Sequence, residues 1–274
     1  MKKSCLLVTL MFTMILRQEA QTPGKEKVVI ETPYGTMKVR LYEETPLHRN
    51  NFLKLVKEGF YDSLLFHRVI NQFMIQGGDP LSKRAKSGDS LGHGDPGFTI
   101  PAEFNQEIFH RKGTLCAARE SDDINPQRAS SGSQFYIVMG KVRTLEDLKK
   151  YEDRINKTNY TKTAREYILS DEGKLLKRKY DRLKSENKQD SAQSLNTTIE
   201  GSIKKRADQT PLYKFTEKQI KTYTTVGGTP HLDGSYTVFG EVTEGLEVID
   251  KIAGVKTDKR DRPIDDVRMK VRIE

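Results

Sequence analysis

The sequence predicts a mainly β protein, an antiparallel barrel or sandwich interrupted by a helical insertion. Three observations carry this reading. Short apolar runs separated by Gly and Asp clusters recur through residues 27–140 and again through 223–274, as expected of many short strands. Those two stretches hold only two helical patterns, too few to alternate with strands in a parallel sheet. Residues 141–222, in contrast, carry apolar residues at helical spacing in a basic, polar background.

Val28–Ile30 and Met37–Leu41 flank the turn signal Tyr34-Gly35 and predict a hairpin. Thr45-Pro46 opens a helix, with Thr45 as N-cap and Pro46 at the first helical position. Phe52, Leu55 and Val56 form its apolar face, and Gly59 ends it. Strand-like runs follow at Leu64–Ile70, Phe73–Gln76, Phe98–Ile100, Thr114–Ala118, Gln134–Met139 and Thr237–Val242. A short helix from Glu244 to about Ala253, capped by Thr243, precedes a last strand near Val267–Ile273. That strand is expected to close against the first hairpin, because closure removes exposed edges.

Within 141–222, Thr144 is placed to cap a helix through about Lys157, with Leu145, Leu148 and Tyr151 on one face. A longer helix is expected from about Thr163 to Lys188, using Tyr167, Leu175, Leu176, Tyr180 and Leu183. Residues 189–203, rich in Gln, Ser, Asn and Thr, read as a flexible loop. Thr216 caps a further helix, Glu217–Tyr223, before Gly227-Gly228. The segment is expected to fold as a hairpin of helices.

The chain has 274 residues and a formal net charge of +9. Residues 141–222 hold 21 basic and 13 acidic residues, and residues 1–20 hold three and one. The remainder holds 23 basic and 24 acidic residues, so basicity describes the insertion and the N-terminus and not the body. A hydrophobic share of 35% excludes a multispan membrane protein and still allows one core. Two cysteines exclude a disulfide scaffold. Lys2 and Lys3, then an apolar run from Ser4 to Leu16 and Ala20, read as a secretory signal over 1–20. The run is too short to span a bilayer. Cys5 lies at its start and not after it, which argues against a lipidation site, and Cys116 reads as an inert buried thiol.

The most specific signal is a set of three motifs. They are Phe66-His67-Arg68-Val69-Ile70 with Phe73-Met74-Ile75-Gln76-Gly77-Gly78-Asp79, then Gly132-Ser133-Gln134-Phe135-Tyr136-Ile137, then His231-Leu232-Asp233-Gly234 with Val238-Phe239-Gly240. In this order they closely resemble the cyclophilins, the barrel-shaped peptidyl-prolyl cis-trans isomerases. The resemblance covers about 27–140 and 223–274, leaving 141–222 as an insertion. It implies a closed eight-stranded antiparallel barrel capped by two helices, with the substrate in a groove on its outer face.

The resemblance places Arg68 as the catalytic group and Gln76 as the residue that holds it and binds the substrate backbone. Phe73, Met74 and Leu232 match the walls of the proline pocket, and Ala118 a small residue lining the groove. Three matched positions depart from the common pattern. Tyr136 stands where many cyclophilins have Phe, His231 where cyclosporin-sensitive members have Trp, and Tyr236 where those members have His. Weak inhibition by cyclosporin is therefore expected, with catalysis retained. The Tyr136 hydroxyl needs a partner.

Rotation about an X-Pro bond breaks no covalent bond, so the reading requires no cofactor, metal or nucleophile. No histidine pair has metal-ligand spacing, and Ser131-Gly132-Ser133 lacks the glycine placement of a nucleophile elbow. His67 reads as a structural neighbour of Arg68. The expected function is isomerisation of proline-containing unfolded or exported polypeptides, assisting folding as a chaperone does. The periplasm is the expected location, with an extracellular or secretory-pathway location as alternatives. Lys177-Arg178-Lys179 and Lys204-Lys205-Arg206 suggest an acidic partner or a membrane surface for the insertion, with nucleic acid disfavoured. Both roots of the insertion lie near the expected pocket, so it is expected to extend the substrate-binding surface.

Overall fold

The computed structural model describes residues 26–274; the expected signal over 1–20 lies outside the described residues. The first hairpin forms from β1 (Lys27–Thr32) and β2 (Gly35–Leu41). Helix α1 (Pro46–Lys57) follows, then β3 (Phe66–Ile70) and β4 (Met74–Gly77). Next come the two-residue strand β5 (Thr99–Ile100), β6 (Thr114–Ala117), the two-residue β7 (Ser130–Ser131) and β8 (Phe135–Val138). Four helices come next: α2 (Leu145–Leu169), α3 (Asp171–Ser185), α4 (Gln189–Ala207) and α5 (Glu217–Thr225). The chain ends in β9 (Val238–Glu244), α6 (Leu246–Ala253) and β10 (Lys270–Ile273).

Eight strands form one antiparallel sheet in the order β10-β1-β2-β9-β6-β8-β4-β3. As expected, the last strand pairs with the first, Val28 opposite Ile273 and Ile30 opposite Val271. The expected closed barrel is corrected to a curled, open sheet. Strands β10 and β3 stand at its two ends and share no ladder. The residues just before them meet only through an isolated bridge, Leu65 opposite Arg268, and flanking backbone bonds such as Phe66 N to Val267 O at 2.9 Å. The edges are thus protected by a short stitch of backbone, which suffices to hide them from other chains.

Strand alternation sorts the side chains onto two faces. Phe135 and Ile137 of β8, Ile75 of β4, Leu115 and Ala117 of β6 and Phe239 of β9 enter the main core. Helix α1 covers that core with Phe52, Leu55 and Val56, and α6 with Val248, Ile249 and Ile252. The alternate residues Met74, Cys116, Tyr136, Val138 and Val238 form a second cluster on the opposite face. Cys116 is a free, buried thiol there.

Two helix starts differ from expectation. Thr45 occupies the N-cap of α1, but its hydroxyl makes no cap bond. The Glu103 carboxylate accepts from Leu47 N and His48 N instead, both at 3.0 Å, and from His48 Nδ1 at 2.6 Å. A remote anion thus satisfies the free N–H groups of the first turn and suits its positive end. Helix α6 starts after Gly245 rather than Thr243, because β9 runs on through Glu244.

The insertion carries the largest corrections. Residues 189–203, expected to be a loop, lie within α4. Leu195, Ile199 and Ile203 recur at helical spacing and cluster with Tyr167 and Leu176. A single narrow apolar stripe is enough once neighbouring helices cover it. The expected long helix from Thr163 is broken at Ser170, which ends α2 and caps α3 by accepting from Gly173 N at 3.2 Å. The hairpin is therefore a three-helix unit of α2, α3 and α4, with α5 returning the chain to the body. Thr144 and Thr216 cap α2 and α5 as expected, each in a reciprocal capping box. Gly228 staples the two roots together, bridging Lys141 and Arg111. A Cβ there would fall 2.2 Å from His110 O, so only glycine permits that approach.

Candidate active site

Strands β3, β4, β6 and β8 and the turn at Pro230–Leu232 surround a cavity of about 490 Å³ on the outer face of the sheet. Arg68, Phe73, Met74, Gln76, Ala118, Tyr136, Leu232 and Tyr236 all line it. Of the residues expected at the site, His231 alone does not.

The polar side of the cavity is a relay of fixed amides. Arg68 and Gln76 face each other across the β3–β4 ladder, and Arg68 Nη1 donates to Gln76 Oε1 at 3.3 Å. Gln76 Nε2 donates to Gln134 Oε1 at 3.1 Å, and Gln134 Nε2 to Gly92 O at 3.1 Å and Gly94 O at 2.8 Å. Asp79 anchors that glycine loop by accepting from Gly92 N and Gly94 N. The chain of bonds fixes which end of the Gln76 amide meets the guanidinium. Arg68 Nε also lies 3.7 Å from Asp261 Oδ2, with the Arg68 side chain 42% exposed. A cation anchored on one side thus remains open to the cavity on the other. His67 lines the cavity too; burial holds its pKa down at about 4, so a neutral ring sits beside Arg68. Gln134, quoted in the motif, was given no site role by sequence. Its contacts lie about 40 residues upstream in the glycine loop, and only the fold brings them together.

The apolar side is held by a buried polar chain. The Tyr136 hydroxyl meets His110 Nε2 at 3.0 Å, and His110 Nδ1 donates to Asp233 Oδ1 at 2.8 Å. Asp233 also accepts from His110 N at 2.9 Å and, through Oδ2, from Tyr223 Oη at 2.6 Å and Gln219 Nε2 at 3.4 Å. Burial by itself lowers the His110 pKa. The Cys116 sulfur and the Asp233 carboxylate outweigh it and lift the pKa to about 9. At neutral pH both ring nitrogens therefore carry protons, and Tyr136 Oη accepts from Nε2. The tyrosine at the pocket floor has its partner, and Tyr223 and Gln219 of helix α5 complete the chain.

Tyr136→Phe should keep the pocket shape but leave the His110 Nε2–H without an acceptor. A loss of about 1–3 kcal/mol in urea unfolding is expected, the cost of an orphaned buried donor. An unchanged midpoint would show that the hydroxyl is idle.

His231 sits beside the pocket wall, half-buried. Its ring stacks on Phe73 with centroids 5.6 Å apart and, on insertion helix α2, on Tyr151 at 5.7 Å. Position 231 therefore joins the insertion to the pocket wall. Tyr236 packs edge-on against Tyr136 at 6.0 Å, under the Arg119 guanidinium at 4.4 Å.

The sequence profile described as "Cyclophilin type peptidyl-prolyl cis-trans isomerase/CLD" matches residues 27–165 and 177–273. The chain belongs to the cyclophilin family. The match continues into the inserted helices and leaves out 166–176. A putative bifunctional phosphatase/peptidyl-prolyl cis-trans isomerase of Streptococcus pyogenes is 30% identical over 244 residues, covering 88% of this chain. The chain spans only 37% of that relative's length. A putative peptidyl-prolyl cis-trans isomerase of Staphylococcus saprophyticus is 28% identical over 242 residues, covering 88% of this chain and 87% of the relative. The crystal structure of a cyclophilin-type isomerase of Cryptosporidium parvum superposes with a TM-score of 0.51 at 20% identity, covering 91% of this chain and 97% of the other. The same isomerase is also known in the presence of the dipeptide Ala-Pro, with a TM-score of 0.50. This cyclophilin is thus a peptidyl-prolyl cis-trans isomerase by family.

Proposed function

We propose that this cyclophilin accelerates X-Pro rotation in exported polypeptides, with Arg68 acting on the twisting amide. The observation that carries the reading is the juxtaposition, in one cavity, of the anchored Arg68–Gln76–Gln134 relay and the apolar wall of Phe73, Met74 and Leu232. Amide resonance sets a barrier of about 18–20 kcal/mol to rotation. As the bond twists, its nitrogen becomes pyramidal and gains a localised lone pair. A guanidinium donating to that lone pair withdraws it from resonance, and arginine stays charged throughout the neutral range. The apolar wall holds the proline ring while Gln76 meets the backbone, so binding favours the twisted state over either planar one.

The proposed clients are unfolded or newly exported chains, whose folding waits on prolyl bonds. The periplasmic location rests on the signal pattern over 1–20. A prolyl isomerisation assay on a proline tetrapeptide tests the function: acceleration is expected, and a rate equal to the uncatalysed one would overturn it. Cyclosporin is expected to inhibit only weakly, because His231 and Tyr236 replace the residues of sensitive members and the His231 ring is stacked on Phe73 and Tyr151. A tight inhibition constant would contradict this.

A further inference from the structure

The insertion places two arginines without carboxylate partners beside the proline pocket. Tyr151 of α2 stacks on His231, which stacks on Phe73, so the pocket wall continues without a break onto the insertion. The Arg143 and Arg154 guanidinium carbons lie 5.6 and 5.4 Å from the centre of the Tyr151 ring. Neither forms an ion pair among the described residues, whereas Lys149 pairs with Asp153, Lys150 with Glu146 and Lys162 with Glu166 on α2. Asp147, whose pKa is lowered partly by Arg143, is held chiefly by Thr144 in the capping box. Arg143 keeps one weak bond to Gly228 O at 3.4 Å, while its Nε is buried without a partner. Arg154 is exposed. Tyr151 meets both cations through its ring face, the arrangement by which an aromatic holds a guanidinium ready for an anion.

We infer that Arg143, Tyr151 and Arg154 form a binding shelf for an acidic stretch of the client chain itself, lying a few residues from the proline in the pocket. The inference rests on the isomerase reading and adds a substrate class to it. Charge complementarity selects the occupant. Two unpaired guanidiniums beside a peptide pocket favour Glu or Asp side chains and repel Lys and Arg, so specificity comes from attraction and exclusion together. The stack also ties the shelf to the pocket mechanically, so an anion engaged there bears on the same wall that holds the proline ring. Elsewhere on the insertion, Lys177 pairs with Asp181 on α3 and Lys204 of α4 with Asp208.

The test uses the full chain and three matched proline peptides flanked by Glu, Gln or Lys. Isomerisation is followed by a protease-free exchange measurement, and binding by fluorescence anisotropy in the same samples. Wild type is expected to favour the Glu peptide over the Gln peptide by about fivefold to tenfold in kcat/KM at low salt, the scale of two partly exposed ion pairs. The preference should shrink at high salt, where such pairs are screened. Arg154→Gln, at an exposed position, should lose about half of that preference on a logarithmic scale. Arg143→Gln with Arg154→Gln should abolish it and leave the Gln peptide within about twofold of wild type. Arg154→Glu should shift the preference toward the Lys peptide. Equal binding and equal acceleration of all three peptides, or a preference that survives the double substitution, would overturn the shelf. Tighter binding of the Glu peptide with no acceleration of any peptide would uphold the shelf and overturn the isomerase reading.

Discussion

Arg68→Ala is expected to lower kcat/KM for a proline tetrapeptide by about 10²–10³-fold, the usual cost of removing one preorganised donor from a developing charge. The fold should survive, because the Arg68 side chain is 42% exposed and its partners stay anchored without it. Gln76 keeps its bond to Gln134, and Gln134 its bonds to the glycine loop. Arg68→Lys should recover only part of the loss, since a single ammonium cannot meet Gln76 and the prolyl nitrogen in the guanidinium's fork geometry. An unchanged circular dichroism spectrum with a collapsed rate is the expected pattern. A variant that keeps its rate would remove Arg68 from the mechanism. The loss should also be flat across neutral pH, because arginine does not titrate there.

The largest effect on stability is expected at Asp233. Its side chain is 6% exposed and accepts four hydrogen bonds, two of them from His110. Asp233→Ala strands a buried imidazolium and three further donors, and a loss of about 3–5 kcal/mol is expected in urea unfolding. The pH dependence has a definite sign. His110 stands raised to about 9 in the folded chain and near 6.5 when unfolded. Its contribution is therefore full below about pH 6.5 and is lost as pH rises through 9. Wild type should lose stability over that window, and Asp233→Asn should lose less, having started lower. Identical pH profiles for the two would contradict the network. Because Asp233 follows the turn that carries Leu232, and Tyr136 ends the same chain of bonds, activity should fall before unfolding does.

The groove was largely legible in sequence because its chemistry is local. Arg68 and Gln76 come from one hairpin, and Phe73 and Met74 from the turn and strand between them. The alternation of Phe135-Tyr136-Ile137 already assigns Tyr136 to the face opposite the core. What sequence missed is long-range. The partner of Tyr136 lies 26 residues away and that of His110 a further 123. The stacking of His231 on Tyr151 is likewise invisible in sequence, because Tyr151 reaches it only after helix α2 docks. Polar composition hides helix α4, since its stripe of Leu195, Ile199 and Ile203 becomes core only against Tyr167 and Leu176.

The sequence by itself determined the family, the mainly β body, the motif residues of the groove and the concentration of the surplus charge in 141–222 and the N-terminus. These depend on residue type and short spacing, which the chain carries before it folds. Tertiary structure alone decided that the sheet stays open, that a buried His110–Asp233 pair supports the pocket floor, and that the insertion joins the pocket wall. Each of these depends on which distant surfaces meet. That is settled by burying apolar faces together and by the need to give every polar group trapped between them a partner.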